Sequence, residues 1–247
     1  MYLTLSVMFR IILVVHYLWM TATLFAQYHE LGVSGGVSYY TGDIYTKHFQ
    51  DIREQVSLFY RLTSSGAGRW NLTVQLQSLR LAGDDAKVQR PLNQQRQAAF
   101  RTWLLGGQIM AEFNFLPFSL LRSEDRYYDY TPFLQFGVGV SLLGARTAVP
   151  VGGQLVFTPV QEIPPDEGTV GSVTFLFPIG LGMKFKLAPS WGMGVTYTLM
   201  IPTSPYIDGV HLAGNRGVTD LIYTLNLQLF YAFKTSQKGC NCLKKRR

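Results

Sequence analysis

The chain has 247 residues, of which 47% are hydrophobic, 14% aromatic and only 15% charged. Soluble domains carry about 25% charged residues, so a large water-facing surface would be short of charge here, and the aromatic content excludes a disordered chain. The net charge of +7 sits at the ends: apart from Arg10 and the six basic residues of 234–247, 15 basic residues balance 15 acidic ones, which argues against a basic nucleic-acid-binding body.

In chain order, residues 1–26 read as a secretory signal peptide. Arg10 precedes an apolar run over 11–20, and a small-residue stretch ends at Ala26. The run is too short to span a bilayer comfortably, which favours a cleaved leader over an anchor. No later segment offers 18 consecutive apolar residues, so no second helical span is expected.

From 27 to 233 the sequence alternates with period two, the spacing of β-strands. Leu31, Val33, Val37 and Tyr39 alternate with Gly32, Ser34, Gly36 and Ser38. The second segment sets Val56, Leu58 and Tyr60 against Ser57, Phe59 and Arg61, and the third sets Trp70, Leu72 and Val74 against Asn71, Thr73 and Gln75. Further segments follow over 103–115, 133–142, 175–187, 191–201 and 221–233, making eight strands. One face of each is bulky and apolar. The other holds mainly Gly, Ser, Thr, Gln and Asn with a few charges.

A soluble sandwich would place charged residues on its outer face. Small, sparsely charged residues instead suit the crowded lumen of a small barrel, with the bulky face toward lipid. Thirteen residues such as 221–233 run roughly 40 Å, and a tilt near 40° leaves about 30 Å of height. The expected fold is therefore all-β, an eight-stranded antiparallel transmembrane β-barrel of the outer membrane over 27–233, with a periplasmic basic tail over 234–247. With both termini periplasmic, the long connections 40–54, 82–100, 144–173 and 202–219 become extracellular loops, and 63–69 and 188–190 become periplasmic turns. The fourth connection, 116–131, is long for a turn. Interface aromatics are expected at Trp70, Phe115, Phe133, Trp191, Tyr231 and Phe233 on the periplasmic side, and at Tyr39, Trp103, Phe175 and Tyr223 outside.

Alternation points Glu30, Arg61, Glu112, Lys184 and Lys186 into the lumen near its periplasmic end. Buried charges need partners, so these residues read as a structural plug, with an ion or proton path as the competing reading. No catalytic, cofactor-binding or metal-binding residue is expected. His48 and His211 fall in extracellular loops, the latter near Ser204 and Asp208, but proximity in sequence does not build a nucleophile–base pair. Cys240 and Cys242 are the only cysteines; with one intervening residue a bridge between them is strained. An intermolecular disulfide to a periplasmic protein competes with an unpaired or locally bridged tail. Lys244 and Lys245 offer cations to an acidic partner or lipid phosphates. The fourth connection adds Arg122, Tyr127 and Tyr128, a polar-aromatic mix suited to an interface.

Several stretches together resemble the PorG-type barrels of Bacteroidota. They are Glu30-Leu31-Gly32-Val33 with Gly36, then Tyr40-Thr41-Gly42-Asp43-Ile44; Tyr130-Thr131-Pro132-Phe133 with Gly137-Val138-Gly139; Phe177-Pro178-Ile179-Gly180-Leu181-Gly182-Met183-Lys184; and Pro205-Tyr206-Ile207-Asp208-Gly209-Val210. Pro205 replaces an acid of that pattern, and Thr196-Tyr197-Thr198 stands where the seventh strand often has Glu. The resemblance implies a non-enzymatic component of the type IX secretion machinery that contacts the periplasmic ring proteins PorK and PorN. It gives Glu30, Gly32, Tyr40, Gly42, Asp43, Tyr206, Asp208 and Gly209 structural roles, and it does not extend to the cysteine-bearing tail. A small pore or ligand-binding barrel, motivated by the glycines and interior charges, and a lipid-modifying enzyme using His211 or His48 are the competing expectations.

Overall fold

The structure, a computed structural model, describes residues 26–42, 49–64, 68–88, 99–122, 126–151, 154–159, 173–204, 207 and 220–234. The expected signal peptide before Ala26 and the tail beyond Lys234 lie outside the described residues. Among the described residues nine strands follow one another: β1 (Ala26–Thr41), β2 (Arg53–Ser64), β3 (Trp70–Asp84), β4 (Ala99–Asn114), β5 (Tyr130–Val151), β6 (Gln154–Pro159), β7 (Val173–Ala188), β8 (Trp191–Pro202) and β9 (Leu221–Phe233). Neighbours pair antiparallel in the order β4-β3-β2-β1-β9-β8-β7-β5, and pairing of β4 with β5 closes the ring. Eight strands thus form the wall. β6 pairs only with the far part of β5, from Arg146 to Val151, and extends that hairpin beyond the barrel. Alternation placed 144–173 in a loop; β5 instead runs on to Val151 and finds a partner there.

The strands meet at two kinds of end. At the turn end, where β1 starts and β9 finishes, β7 and β8 join through Pro189 and Ser190, the latter with positive φ. At the loop end the long connections begin, including a short 3-10 turn, Asp85–Lys87, capped by Asp84, which accepts a hydrogen bond from the Ala86 N–H.

The two faces of the wall are chemically opposite. Outward residues are apolar and accessible, among them Leu76 (60%), Val138 (57%), Leu181 (61%) and Leu227 (61%). Inward residues of the same strands, such as Ser57, Gln75, Gln135, Thr198 and Asn226, are buried. So wide an apolar girdle is untenable in water. A closed ring leaves no strand edge unpaired, the condition for placing strands in hydrocarbon. The molecule is a membrane-spanning barrel of outer-membrane type.

Large residues also enter the lumen. At the loop end Tyr40, Leu79, Leu81, Phe100, Leu104, Leu143, Leu176, Met200, Ile207 and Ile222 form one buried apolar cluster. At the turn end Tyr28, Phe59, Phe118, Leu120, Phe230 and Ala232 form another. Between them lies a polar middle, where Gln75 donates to Ser57 at 2.8 Å and Gln135 to Thr198 at 3.0 Å. The lumen is thus layered, where composition alone suggested small polar groups throughout.

Candidate functional site

The feature with the densest chemistry is the charged layer inside the turn end. Register sets Glu30 of β1 opposite Arg61 of β2 and Asn71 of β3 opposite Glu112 of β4. Arg61 Nη1 donates to Glu30 Oε2 at 2.5 Å, and its Nε lies 3.2 Å from Glu112 Oε2. Lys184 of β7 donates to Glu112 Oε1, and Asn71 Nδ2 donates to the same oxygen at 2.6 Å. All four charged side chains are buried. Two acids and two bases cancel, so the layer is neutral as a unit, although each member alone would be costly to bury. Side chains from β1, β2, β4 and β7 converge because an eight-stranded ring is narrow enough for them to meet across its centre.

Aromatic rings complete the layer. The Arg61 guanidinium lies 4.9 Å from the Phe59 centroid and 5.2 Å from that of Phe230. Lys184 Nζ lies 4.9 Å from the Phe133 ring. Such contacts add cation–π attraction where water is excluded. Gly32 makes the Arg61 clamp possible, because a Cβ there would strike the Phe59 ring, the Phe230 side chain and the Leu229 carbonyl. Two residues of the opening motif therefore have separate tasks: Glu30 supplies the charge, and Gly32 supplies the room for the rings around its partner.

Three expectations need correction. Lys186 shares the inward parity of Lys184 but is only half-buried, and its Nζ donates to the Arg122 carbonyl at 3.2 Å, outside the charged layer. Phe133 is no interface aromatic; it points inward and is buried beneath Lys184. Tyr39 does face outward, but it is fully covered, stacked on Tyr223 at 5.0 Å and bonded to the Tyr197 hydroxyl at 2.6 Å.

The fourth connection closes the turn end. Phe118, Ser119 and Leu120 are buried, and Phe118 pairs with Tyr128 in an isolated bridge. Tyr28 Oη donates to the Phe118 carbonyl at 3.5 Å, and the Lys186 N–H donates to that of Asp129 at 2.7 Å. What reads in sequence as a surface loop is, in its first half, a plug seated under the charged layer. Its outer half keeps an accessible stack: Arg122 Nη1 donates to Tyr127 Oη at 3.0 Å, Arg126 lies 5.2 Å from the Tyr127 centroid, and Tyr128 is exposed.

At the loop end Tyr40 Oη donates to Asp220 Oδ1 at 2.8 Å, and Gly42 lies against that bond. Thr102 Oγ1 donates to the Ile207 carbonyl at 2.6 Å, so a residue of the β8–β9 connection is tied into the lumen. Asp43, Tyr206, Asp208, Gly209, Cys240, Cys242, Lys244, Lys245, His48 and His211 lie outside the described residues. Ser204 is described, with its N–H donating to Thr174 Oγ1 at 3.2 Å.

A family of domains of unknown function, DUF6089, matches residues 8–148, the span from before β1 through most of β5. The chain belongs to the DUF6089 family. No curated protein matches the sequence. Among solved structures, the chain is similar to Ail, the attachment invasion locus protein of Yersinia pestis, in complex with the heparin analogue sucrose octasulfate, at 12% identity, TM-score 0.45, covering 84% of this chain and 99% of that one. It is also similar to Neisserial surface protein A, at 11% identity and TM-score 0.43 over 83% and 97% of the two chains. The outer membrane protein OprG of Pseudomonas aeruginosa matches at 11% identity and TM-score 0.43 over 85% and 98%.

Sequence reasoning missed the plug of Phe118 and Leu120 and the aromatic clamp on Arg61. A signal for the clamp was present. Phe59 and Phe230 fall on the otherwise small-residue face, at the level where β1 and β8 carry Gly32 and Gly192.

Proposed function

We propose that the protein is a non-enzymatic outer-membrane component of the type IX secretion machinery that anchors or positions the periplasmic PorK/PorN ring. The observation that carries this reading is the occupied lumen: an apolar cluster at the loop end, a charged layer and a plug at the turn end. A barrel filled in this way acts through its surfaces. The resemblance of 30–44, 130–140, 177–184 and 205–210 to PorG-type barrels supplies the identity of the partners.

In this reading the turn end faces the periplasm. The Arg122–Tyr127–Arg126 stack, with Tyr128 beside it, is the docking surface, because arginine and tyrosine dominate such contacts. The tail over 234–247 adds cations, and Cys240 or Cys242 forms a disulfide with a ring protein in the oxidising periplasm.

Co-purification tests this. PorK and PorN are expected to accompany the intact mature chain and to be lost from a chain that carries R122A and Y127A and lacks 235–247. Unchanged recovery would reject docking at this face. Electrophoresis of the native complex without reductant is expected to show a heavier band that collapses on reduction.

A further inference from the structure

On the outer wall at the loop end, a cavity of about 520 Å³ is lined by Arg53, Glu54, Arg80, Arg101, Trp103 and Arg146. Register explains the gathering. Arg80 faces Trp103, Ala82 faces Arg101, and Arg101 faces Arg146 across β3, β4 and β5. These residues share outward parity with Leu76, Leu105 and Leu142 of the apolar girdle, so the cations stand directly above lipid-facing side chains. Arg53 of β2 lines the same space, and its Nε is buried without a hydrogen-bond partner among the described residues. Among the described residues one carboxylate lines the cavity, Glu54, which accepts from Arg80 Nη1 at 2.6 Å. The described lining thus carries more guanidinium groups than carboxylates.

The floor is shaped as well. Ala82 is small and buried, leaving space between the flanking arginines. Gly144 lies opposite Trp103, where a Cβ would strike the indole. The ring therefore lies across β5 at the foot of Arg146. Arg101 lies two positions from Trp103, about 7 Å along the strand and about 5 Å in height at a tilt near 40°. Tryptophan settles at the boundary between headgroups and acyl chains, which sets the guanidinium groups at the level of lipid phosphates. Elsewhere the loop end is dressed differently: β1, β8 and β9 carry the stacked Tyr39, Tyr197 and Tyr223.

We propose that this arginine arc is a lipid-headgroup site, which holds in the leaflet at the loop end a lipid whose headgroup bears a phosphate monoester. A guanidinium carries more N–H donors than one partner uses, so Arg80 and Arg101 keep donors for terminal oxygens beside the contacts they already make, and Arg146 on the next strand adds its own fork. A monoester presents three such oxygens, where a diester presents two and a zwitterionic headgroup brings its own cation. The acyl chains lie along Leu76, Leu105 and Leu142, which are exposed below the arc. This site is independent of the periplasmic docking surface, and lipid affinity and PorK/PorN recovery are separate readouts.

The test is a binding titration of the full mature chain, refolded in neutral-detergent micelles, with phosphatidic acid, phosphatidylglycerol and phosphatidylcholine. Saturable binding of phosphatidic acid is expected, with phosphatidylglycerol about tenfold weaker, phosphatidylcholine showing none, and about tenfold lost per guanidinium removed. R101Q/R146Q is then expected to lose about 100-fold for phosphatidic acid, R101K/R146K to fall between, and K87Q to stay within about twofold. If the double variant does not refold, R146Q alone reads the same contact. Binding of phosphatidic acid by R101Q/R146Q as tightly as by the unaltered chain would overturn the proposal. So would equal affinity for phosphatidylcholine, or for inorganic phosphate or a sulfated oligosaccharide, which would mark an ordinary soluble-anion surface.

Discussion

The two closed ends of the lumen are built on opposite principles. The turn end holds Glu30, Arg61, Glu112 and Lys184 in a neutral buried layer, clamped by Phe59, Phe230 and Phe133. The loop end is filled by aliphatic and aromatic side chains with polar latches such as Tyr40 to Asp220 and Thr102 to the Ile207 carbonyl. Buried charges demand specific partners, whereas apolar groups demand only volume. The turn end is therefore the specified end, where each member depends on the others, and the loop end is the tolerant one.

That contrast can be broken by substitution, measured as urea unfolding of the refolded mature chain in lipid. The largest effect is expected for R61M, which leaves Glu30 buried without its cation and removes one of the partners of Glu112. The cost should be about 3–5 kcal/mol, with part of it recovered in R61M/E30Q, because the orphaned carboxylate is then neutral. A smaller loss, about 1–3 kcal/mol, is expected for G32A, whose Cβ displaces the rings around Arg61. The smallest is expected at the other end, where L104M conserves volume and should cost less than about 1.5 kcal/mol. If L104M proved as damaging as R61M, the ends would not differ in kind. If R61M/E30Q were no better than R61M, the layer would owe its stability to the aromatic clamp more than to its charges.

The outer wall repeats the lesson at lower stakes. One arc of the loop end presents Arg80, Arg101 and Arg146 beside Trp103, and the other presents tyrosines bonded and stacked on each other. Alternation located Trp103, Tyr39 and Tyr223 near an interface. Arg146 falls in 144–173, which reads as a loop, and Arg101 falls outside the alternating segment 103–115, so the arginines of β3, β4 and β5 gave no sign of forming one surface.

Much of the wall was legible. Segments over 103–115, 191–201 and 221–233 keep a bulky outward set with few interruptions, and each falls almost entirely within one strand. The Glu30–Arg61 contact was legible too, since consecutive antiparallel strands are neighbours and both residues carry inward parity at the same end. The meeting of Glu112 and Lys184 with Arg61 was harder, because it spans the lumen and depends on closure of β4 onto β5. The burial of Phe118 and Leu120 left no periodic trace, since a connection that folds back into a mouth has neither the repeat of a strand nor that of a helix. Lys186 shows where parity fails: near a strand end, a long side chain can turn to the nearest carbonyl, here that of Arg122.

The sequence by itself determined the strands, their two faces and therefore a lipid-facing barrel, because a period of two and the choice of small or bulky residues at each step are local properties. Only the tertiary structure decided which charges neutralise each other, which loop fills the mouth and which arginines share a cavity. Those depend on ring closure, which brings residues from distant strands within a few ångströms of one another across a lumen that side chains just fill.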